Sequence, residues 1–598
     1  MAERTLCDIF YRSVDTFRKP DHLRVKRGGE WRATTSDEFK AAVEELSMGL
    51  RALGVAKGDR VAILSENRPE WAFADLAALT AAVVDVPIYA TLLPPQVLYL
   101  LNDSEARICF VSSHAQARKV LEVRGQAKAL EHVVLFDETP LAGTMSLAAL
   151  RDKGREALAR DPGAVRARAA EVQPEDLATF IYTSGTTGDP KGVMLTHGNL
   201  VSNVLSAGAP FAELGPADTA LSFLPLCHVF ERMGGYYMML HLGVTIAYAE
   251  SVEKVPENML EVRPSLMLSV PRLYEKIYAR VHEKVAADSK ARQAIFRWGL
   301  SVGREMFRHR VLGTPPGPAL RAKAALAQAL VFKKIQARTG GRLRIFISGG
   351  APLSREIALF FGAVGLPILE GYGLTETSPV ITVNTPQRLK PGTVGPPIDG
   401  VEVKIAFDGE ILTRGPHVMK GYYRKPEATA EAIDKDRFFH TGDIGVIDQD
   451  GFLVITDRKK DILVTSGGKN IAPQPIENRL KANPFIAEVV MVGNQRHFPA
   501  ALVVPNFEAL EKWARAKGLP TESHEALVAR SEVKEHYARE IERLSGDLAP
   551  FERIKKIVVL AHEFTLEAGE LTPTLKVKRR VVEKKYKDVI DRLYEGAA

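Results

Sequence analysis

A loop rich in glycine and hydroxyl residues follows a β-prone run at residues 177–183. From Tyr182 to Gly192 it reads Tyr-Thr-Ser-Gly-Thr-Thr-Gly-Asp-Pro-Lys-Gly. Backbone N–H groups and hydroxyls after a strand can surround a phosphate chain, and Lys191 adds a positive charge. The spacing is not that of a Walker A loop, because Pro190 stands where that loop has its second glycine and Gly192 where it has Ser or Thr. The sequence therefore predicts a phosphate-binding loop of another kind.

Seven further motifs with charged, hydroxyl or aromatic side chains follow this loop along the chain. In the one-letter code of the sequence they read FLPLCH at 223–228, SGGAP at 348–352, GYGLTE at 371–376, HTGD at 440–443, DRKKD at 457–461, SGGKN at 466–470 and LTPTLKVKR at 571–579.

In this order, the motifs resemble the signatures of the adenylate-forming superfamily, which contains acyl-CoA synthetases, firefly luciferases and the adenylation domains of peptide synthetases. The resemblance covers about residues 182–579, most of the chain. It implies Mg²⁺ as cofactor, with ATP and CoA as co-substrates. It also implies two half-reactions. A carboxylate attacks the α-phosphorus of ATP to give acyl-AMP and pyrophosphate, and the thiol of CoA then attacks the acyl carbon and AMP leaves.

The resemblance implies three catalytic residues, Lys576, Glu376 and His228. Lys576 would bridge the incoming carboxylate and the α-phosphate, where a positive charge opposes the repulsion between two anions. Lys578 is its rival, because Leu575 stands where the family usually has a glycine before the lysine. Glu376 is a hard oxygen ligand suited to Mg²⁺. His228 would line the acyl pocket beside the path of CoA.

The nucleotide is expected to contact several of the motifs. Asp443 would accept hydrogen bonds from the ribose hydroxyls, Arg458 would add a charged hydrogen bond, and Tyr372 would stack on adenine. Thr183 is the expected metal ligand beside Glu376, although Thr187 could serve instead. The candidate ATP- and AMP-binding residues are Thr183, Ser184, Gly185, Thr186, Thr187, Gly188, Lys191, Gly349, Gly350, Ala351, Pro352, Glu370, Gly371, Tyr372, Gly373, Thr375, Asp443, Ile455 and Arg458.

The strands and helices that position these motifs are predicted to alternate along the chain. Short apolar runs at residues 60–64, 83–89 and 106–112 are separated by helical stretches, which favours parallel sheets. The family layout is an α/β fold with a large N-terminal domain of doubly wound subdomains at residues 1–457. A small β subdomain is expected at about 392–457, followed by a mobile α+β domain at 458–598.

The resemblance predicts that the C-terminal domain rotates between the two half-reactions. Lys460 would be the hinge. The glycine turn with Gly467, Gly468 and Lys469 would then replace Lys576 at the site and face CoA, since glycines let a backbone approach a pantetheine arm closely.

The substrate class is indicated by residues 262–278, which closely resemble the long-chain fatty acyl-CoA synthetase branch, as does the basic helical insertion after them. The small residues in Met-Gly-Gly-Tyr at 233–236 fit either an alkyl tunnel or helix packing. The alternatives are a fatty acyl-AMP ligase that serves a carrier protein, a medium-chain or aryl acid–CoA ligase, and an inactive lipid- or nucleotide-binding protein.

Composition and charge indicate the compartment and the partners of the protein. The 598 residues carry a net charge of +7, but residues 276–344 hold 16 Lys/Arg against 3 Asp/Glu, a local +13. This block could meet an anionic membrane or the phosphates of CoA, or be a solvated helical face. Three widely spaced cysteines fit a reducing compartment. We therefore expect a cytoplasmic enzyme, peripheral at the inner membrane face, that binds no nucleic acid. The sequence is compatible with a homodimer but does not decide the oligomeric state.

Overall fold

The computed structural model describes residues 3–183, 189–565, 568–572 and 576–595. Its first part alternates strands with helices, as the sequence predicts, and residues 61–64 and 108–111 are continuous buried apolar strands. The elements are α1 Leu6–Phe17, β1 Leu23–Arg27, β2 Glu30–Thr34, α2 Ser36–Ala52, β3 Arg60–Leu64, α3 Pro69–Thr80, β4 Val84–Ile88, α4 Pro94–Ser104, β5 Ile108–Val111, α5 His114–Val123, β6 His132–Leu135, β7 Met145–Ser146, α6 Leu147–Arg160 and α7 Ala164–Glu171.

The next part supplies most of the second sheet and a long helical stretch, which Gly313–Gly317 interrupts. The elements are β8 Leu177–Thr183, β9 Lys191–Thr196, α8 His197–Gly208, β10 Thr219–Ser222, a π-helical turn Glu231–Tyr237, α9 Met238–Leu242, β11 Thr245–Tyr248, α10 Val255–Val262, β12 Leu266–Ser269, α11 Pro271–Ala286, α12 Lys290–Val311, α13 Pro318–Ala327, a π-helical turn Gln328–Phe332, α14 Lys333–Ala337, β13 Ile345–Ser348, α15 Arg355–Ala363, β14 Ile368–Gly373 and β15 Val380–Val383.

The last part contains a small antiparallel sheet and an α+β unit. Its elements are β16 Glu402–Ile405, β17 Glu410–Arg414, β18 Gly421–Tyr422, α16 Pro426–Ala432, β19 Phe439–Ile447, β20 Leu453–Arg458, β21 Leu463–Val464, β22 Asn470–Ile471, α17 Pro473–Lys481, β23 Ile486–Val492, β24 Ala500–Pro505, α18 Phe507–Ala516, α19 His524–Ala529, α20 Ser531–Ser545, β25 Lys556–Val559, α21 Arg579–Lys585 and α22 Lys587–Tyr594. Three single 3₁₀ turns occur at Arg124–Gln126, Ala209–Phe211 and Thr375–Thr377.

Two eight-stranded sheets form the large domain within the described residues. One has the order β18-β9-β8-β4-β3-β5-β6-β7 and the other β15-β14-β13-β12-β10-β11-β1-β2. Their central strands are parallel. Antiparallel strands stand at one end of the first sheet and at both ends of the second. The predicted doubly wound α/β class is therefore confirmed. The chain order did not reveal that β1 and β2 join the second sheet rather than the first.

Two of the smaller sheets carry the C-terminal half of the site. The antiparallel order β16-β17-β19-β20 places β19 beside β20, and β23-β24-β25 is the sheet of the terminal α+β unit. From α17 to β25 this unit has the order helix, strand, strand, three helices, strand, which fits the predicted α+β class.

Candidate functional site

A buried carboxylate at the junction of the large domain and the small antiparallel sheet organises the site. Asp443 on β19 is 5% exposed and pairs in register with Arg458 on β20. The Tyr372 hydroxyl donates to Asp443 Oδ2 at 2.7 Å, and Arg458 Nε lies 3.3 Å from Oδ1. Burial raises the pKa of Asp443, and Arg458 partly opposes this shift. Ile455 packs in the same small apolar cluster as Tyr372.

A short hairpin carries Lys576 into this site. Leu571 and Val577 form an antiparallel bridge, and the Lys576 backbone N–H donates to Thr572 Oγ1 at 3.0 Å. Glu570, 1% exposed, anchors the base of the hairpin: its carboxylate accepts from Lys585 Nζ at 2.7 Å and from the Tyr586 hydroxyl at 2.9 Å. Two buried acceptor contacts therefore fix the hairpin to the terminal helices.

The charge of Lys576 interacts electrostatically with three of the other predicted site residues. Burial lowers its pKa to about 8, with a further lowering from Arg458 and an opposing effect of Asp443. Burial also lowers the pKa of His228 to about 3, and the Lys576 charge adds to that shift. His228 is therefore neutral at physiological pH, and its Nδ1 accepts from the Phe230 N–H at 3.2 Å. Of the two rival lysines, Lys576 is the one whose charge reaches His228 and Asp443.

Glu376 lies in the 3₁₀ turn after β14 and is held by a residue that the motifs did not include. The Tyr422 hydroxyl donates to Glu376 Oε1 at 2.9 Å, and Lys191 Nζ lies 4.9 Å from the centre of the Tyr422 ring. Burial raises the pKa of Glu376. Within the described residues there is no cluster of three or more His, Cys, Asp or Glu side chains that could hold a metal. A single carboxylate fits a Mg²⁺ ion shared with substrate phosphates, which takes one or two protein ligands.

The phosphate loop joins two antiparallel strands. Thr183 at the end of β8 pairs with Lys191 at the start of β9, so the metal candidate and the loop cation face each other across the ladder. The Tyr99 hydroxyl on α4 donates to the Pro190 carbonyl at 3.0 Å and fixes the end of the loop. The candidates Ser184, Gly185, Thr186, Thr187 and Gly188 lie outside the described residues.

The predicted adenine-binding turn follows β13. A Cβ on Gly349 would lie 3.0 Å from the Phe230 ring, and one on Gly373 would lie 1.7 Å from the Pro379 carbonyl oxygen, so neither position admits a side chain without movement. Burial raises the pKa of Glu370 to about 8, opposed by backbone hydrogen bonds from Gly392 and Leu353. Gly350, Ala351 and Pro352 are exposed, and Gly371 and Thr375 are half-buried.

The predicted hinge and the predicted glycine turn are close in sequence, and both lie on the surface, outside the site. Lys460 is exposed in the turn after β20, where the Asp461 N–H donates to the Arg458 carbonyl at 2.9 Å. Gly467, Gly468 and Lys469 form the exposed end of the β21–β22 hairpin, with Gly468 at φ +75°. The structure therefore brings Lys576 to Asp443 while the glycine turn faces solvent.

Two contacts hold the C-terminal unit against the large domain on α11. Arg272 Nη1 donates to the Ala487 carbonyl at 2.9 Å, and Lys512 Nζ lies 3.1 Å from Glu283 Oε1. Both contacts start from α11, whose first half belongs to the predicted long-chain segment, so this segment also helps to hold the C-terminal unit in place.

The residues after His228 are packed more closely than an open tunnel would need. A Cβ on Gly234 would lie 2.7 Å from Leu268 Cδ2, and one on Gly235 would lie 2.4 Å from Glu231 Oε1. Close packing of the π-helical turn therefore accounts for both glycines. Cys227 is a buried free thiol whose pKa is raised by burial, as expected for packing rather than catalysis.

The sequence reasoning missed a charged cluster between the two large sheets. Arg232, fully buried, lies 2.5 Å from Asp75 Oδ1 and 2.7 Å from Asp85 Oδ1, and donates to Thr179 Oγ1 at 2.8 Å. These residues come from the π-helical turn, α3, β4 and β8. A lone arginine four residues after His228 gives no local signal of this role.

Comparison with known proteins identifies relatives over nearly the whole chain. The AMP-binding enzyme family matches residues 13–423, and the AMP-binding enzyme C-terminal domain matches residues 460–598. The chain is 38% identical to the long-chain-fatty-acid–CoA ligase FadD15 of Mycobacterium bovis, over 96% of this chain and 95% of that protein. It is 33% identical to the peroxisomal long chain acyl-CoA synthetase 7 of Arabidopsis thaliana, over 99% and 87%.

Solved structures share the fold. The anthranilate CoA ligase AuaEII in complex with anthranoyl-AMP superposes with a TM-score of 0.75 at 20% identity, covering 98% of both chains. ATP-bound MatB from Rhodopseudomonas palustris superposes with a TM-score of 0.68 at 24% identity, covering 98% of this chain and 99% of that one. At these identities the likeness shows the fold and not the substrate.

Proposed function

Because the chain belongs to the AMP-binding enzyme family, we propose that it is a long-chain fatty acid–CoA ligase. A fatty acid carboxylate attacks the α-phosphorus of ATP, pyrophosphate leaves, and the CoA thiol then displaces AMP from the acyl carbon. The substrate class rests on relatives of that name, 38% and 33% identical over nearly the full length. The observation that carries the chemistry is the position of Lys576, whose charge influences Asp443 and His228.

Each site residue has a proposed task in this reaction. Asp443 and Arg458 bind the ribose side of the nucleotide. Lys576 neutralises charge between the carboxylate and the α-phosphate. Glu376 and Thr183 would hold Mg²⁺, which when bound neutralises phosphate charge. Neutral His228 lines the acyl side without adding a second cation. Lys460 is proposed as the pivot that exchanges Lys576 for the glycine turn in the thioester step.

The experiment that tests this function uses a ladder of fatty acids. The purified chain is incubated with ATP, Mg²⁺, CoA and acids from short to long, and the products are read by mass. Acyl-CoA formed mainly from long chains supports the proposal. Acyl-AMP without acyl-CoA would indicate a ligase serving a carrier protein, and turnover of short or aromatic acids alone would overturn the chain-length assignment. Sedimentation velocity of the same sample tests for a homodimer.

We further propose a cytoplasmic location with contact at the inner membrane face. No helix in the described part of the chain has both the length and the apolar character to cross a bilayer. Support for membrane contact comes from the basic block between residues 276 and 344, because long-chain acids partition into lipid and anionic leaflets attract such blocks.

A further inference from the structure

Helices α12 to α14, residues 290–337, form what we call the basic helical layer. This layer contains ten Lys and Arg residues and one acidic residue, Glu305. Within the described chain, only Arg292 of the ten forms an ion pair, at 2.9 Å with Asp288. The other nine cations are not neutralised by neighbouring carboxylates. A surface of this kind attracts an extended anionic partner.

The same layer also exposes large aliphatic side chains. Four of the thirteen exposed large apolar residues in the described chain lie in it: Ile295 at 42%, Leu312 at 60%, Leu326 at 52% and Leu330 at 45%. Single exposed leucines are common on protein surfaces. Here four lie among unpaired cations, and this combination is typical of helices that rest in the lipid interface.

One face of α13, the π-helical turn after it and α14 combines both features. Lys323, Leu326 and Leu330 follow each other at intervals of three and four residues. Lys333 and Lys334 lie three and four residues after Leu330, so all five side chains share one side of the helix. All five are exposed.

The other side of these helices is fixed on α12. A Cβ on Gly299 would lie 3.0 Å from Val331, and one on Gly303 would lie 2.8 Å from the Phe332 ring. The contact is so close that the helices hold their outer face in a fixed orientation, with Leu326 and Leu330 in the middle and lysines at both ends.

We propose that this face of the basic helical layer docks on the surface of an anionic lipid bilayer. Leu326 and Leu330 enter the boundary between headgroups and acyl chains, while Lys323, Lys333 and Lys334 reach the lipid phosphates with their flexible stems. A nucleic acid would use the cations but offers no apolar layer for the leucines. The inference rests on the proposed function in one respect: the bilayer is where a long-chain acid partitions, so docking places the ligase at its substrate.

The test measures binding of the full chain to vesicles by co-sedimentation. We expect much stronger binding to phosphatidylcholine vesicles that contain phosphatidylglycerol than to pure phosphatidylcholine vesicles. The triple variant Lys323→Glu/Lys333→Glu/Lys334→Glu should reduce binding to the anionic vesicles about a hundredfold or more, since each basic residue at such a surface contributes about fivefold and reversal adds repulsion.

A matched charge control changes three exposed lysines elsewhere that form no ion pair in the described chain: Lys128→Glu/Lys153→Glu/Lys534→Glu. It makes the same change in net charge and should leave most of the vesicle binding. Equal losses in both triple variants would show that net charge alone attracts the vesicles and would overturn the proposal.

The leucines are tested separately. Leu326→Ala/Leu330→Ala should weaken vesicle binding about tenfold, because each change removes apolar surface from the lipid contact. The control Leu93→Ala/Leu260→Ala removes leucines of similar exposure, 58% and 46%, and should not weaken binding. If the wild type self-associates without lipid and the Leu326/Leu330 variant is monomeric, the face is a contact between copies and the lipid proposal is wrong.

Vesicle binding is scored without turnover, so it can fail while the ligase proposal stands. Conversely, the Lys323/Lys333/Lys334 variant should convert a water-soluble medium-chain acid at the wild-type rate. Loss of that turnover along with vesicle binding would indicate a damaged fold rather than a lost docking face and would count against the assignment.

Discussion

Two β-hairpins of the C-terminal unit were both predicted to serve the same active site, and they stand in opposite environments. The hairpin that carries Lys576 is anchored by buried Glu570, and the charge of its lysine interacts with Asp443. The β21–β22 hairpin, with Gly467 and Gly468 at its end, is exposed. The same C-terminal unit presents one of them to the site and leaves the other in solvent.

The difference indicates which half-reaction this arrangement serves. A positive charge beside the nucleotide site assists attack of a carboxylate on a phosphate, whereas close approach of a thiol arm needs backbone without side chains. In the described arrangement the charge is in place and the glycines are not. We therefore propose that this is the adenylation arrangement and that the C-terminal unit moves for thioester formation.

The largest expected effect comes from removing the charge of the first hairpin. Lys576→Ala should lower the rate of acyl-AMP formation about a hundredfold to a thousandfold, the usual loss when a preorganised charge-stabilising group is removed. ATP–pyrophosphate exchange measures this step. Conversion of supplied acyl-AMP to acyl-CoA should stay near the wild-type rate, because Lys576 is not proposed to act there.

Lys578→Ala is the matched control for that variant. Its lysine is two residues away in the same chain segment. If the exchange rate falls more in Lys578→Ala than in Lys576→Ala, Lys578 supplies the catalytic charge and the proposed site is wrong.

The pH dependence of adenylation should follow the same lysine. Burial lowers the pKa of Lys576 to about 8, so the charge is present below that pH and is lost above it. We expect kcat/KM for acyl-AMP formation, which reports the free enzyme, to fall about tenfold per pH unit above about pH 8. In Lys576→Arg, where the guanidinium stays charged, the remaining activity should show no such fall. A fall of the same shape in both proteins would exclude Lys576 as its source.

Local sequence patterns predicted most of the fold that surrounds these hairpins. Leu177–Thr183 is a strand with the predicted bounds, and the break between α12 and α13 falls at the turn-forming sequence Gly-Thr-Pro-Pro-Gly. These elements depend on local sequence, because apolar runs and turn-forming residues within a short stretch determine them. Motif order likewise pointed to Asp443, Arg458 and Lys576, which the fold then brings together.

What the sequence could not predict depends on long-range pairing. Tyr422 reaches Glu376 because the two-residue strand β18 pairs with β9, more than 220 residues earlier in the chain. Arg232 reads as an ordinary surface charge, yet it is fully buried between Asp75 and Asp85. Neither contact has a local signature, since the partners come from elements that only the sheet topology places side by side.

A smaller effect is expected from the second hairpin. Gly468 has φ +75° and no atom within 4 Å of a built Cβ, so Gly468→Ala introduces backbone strain but no clash. We expect about a tenfold slower conversion of acyl-AMP to acyl-CoA, because the strain and the added methyl both affect the turn proposed to face CoA. The exchange rate should not change.

Gly518→Ala provides the strain control, since Gly518 has φ +70° and equally open surroundings in the same unit. Slower thioester formation in both variants would mean that loss of stability, rather than the glycine turn, is responsible.

The smallest effect should come from the contacts that hold the first hairpin in place without belonging to it. Arg272→Ala removes the 2.9 Å hydrogen bond to the Ala487 carbonyl and should slow pyrophosphate exchange a few-fold, about the contribution of one solvent-exposed hydrogen bond. Conversion of supplied acyl-AMP to acyl-CoA should be unchanged or faster. The weakened contact opposes the proposed movement of the C-terminal unit to the thioester-forming arrangement less strongly. Arg515→Ala, which removes an ion pair within α18, is the control that should alter neither step. If Arg272→Ala slowed both half-reactions equally, α11 would support the fold as a whole and would not select between the two hairpins.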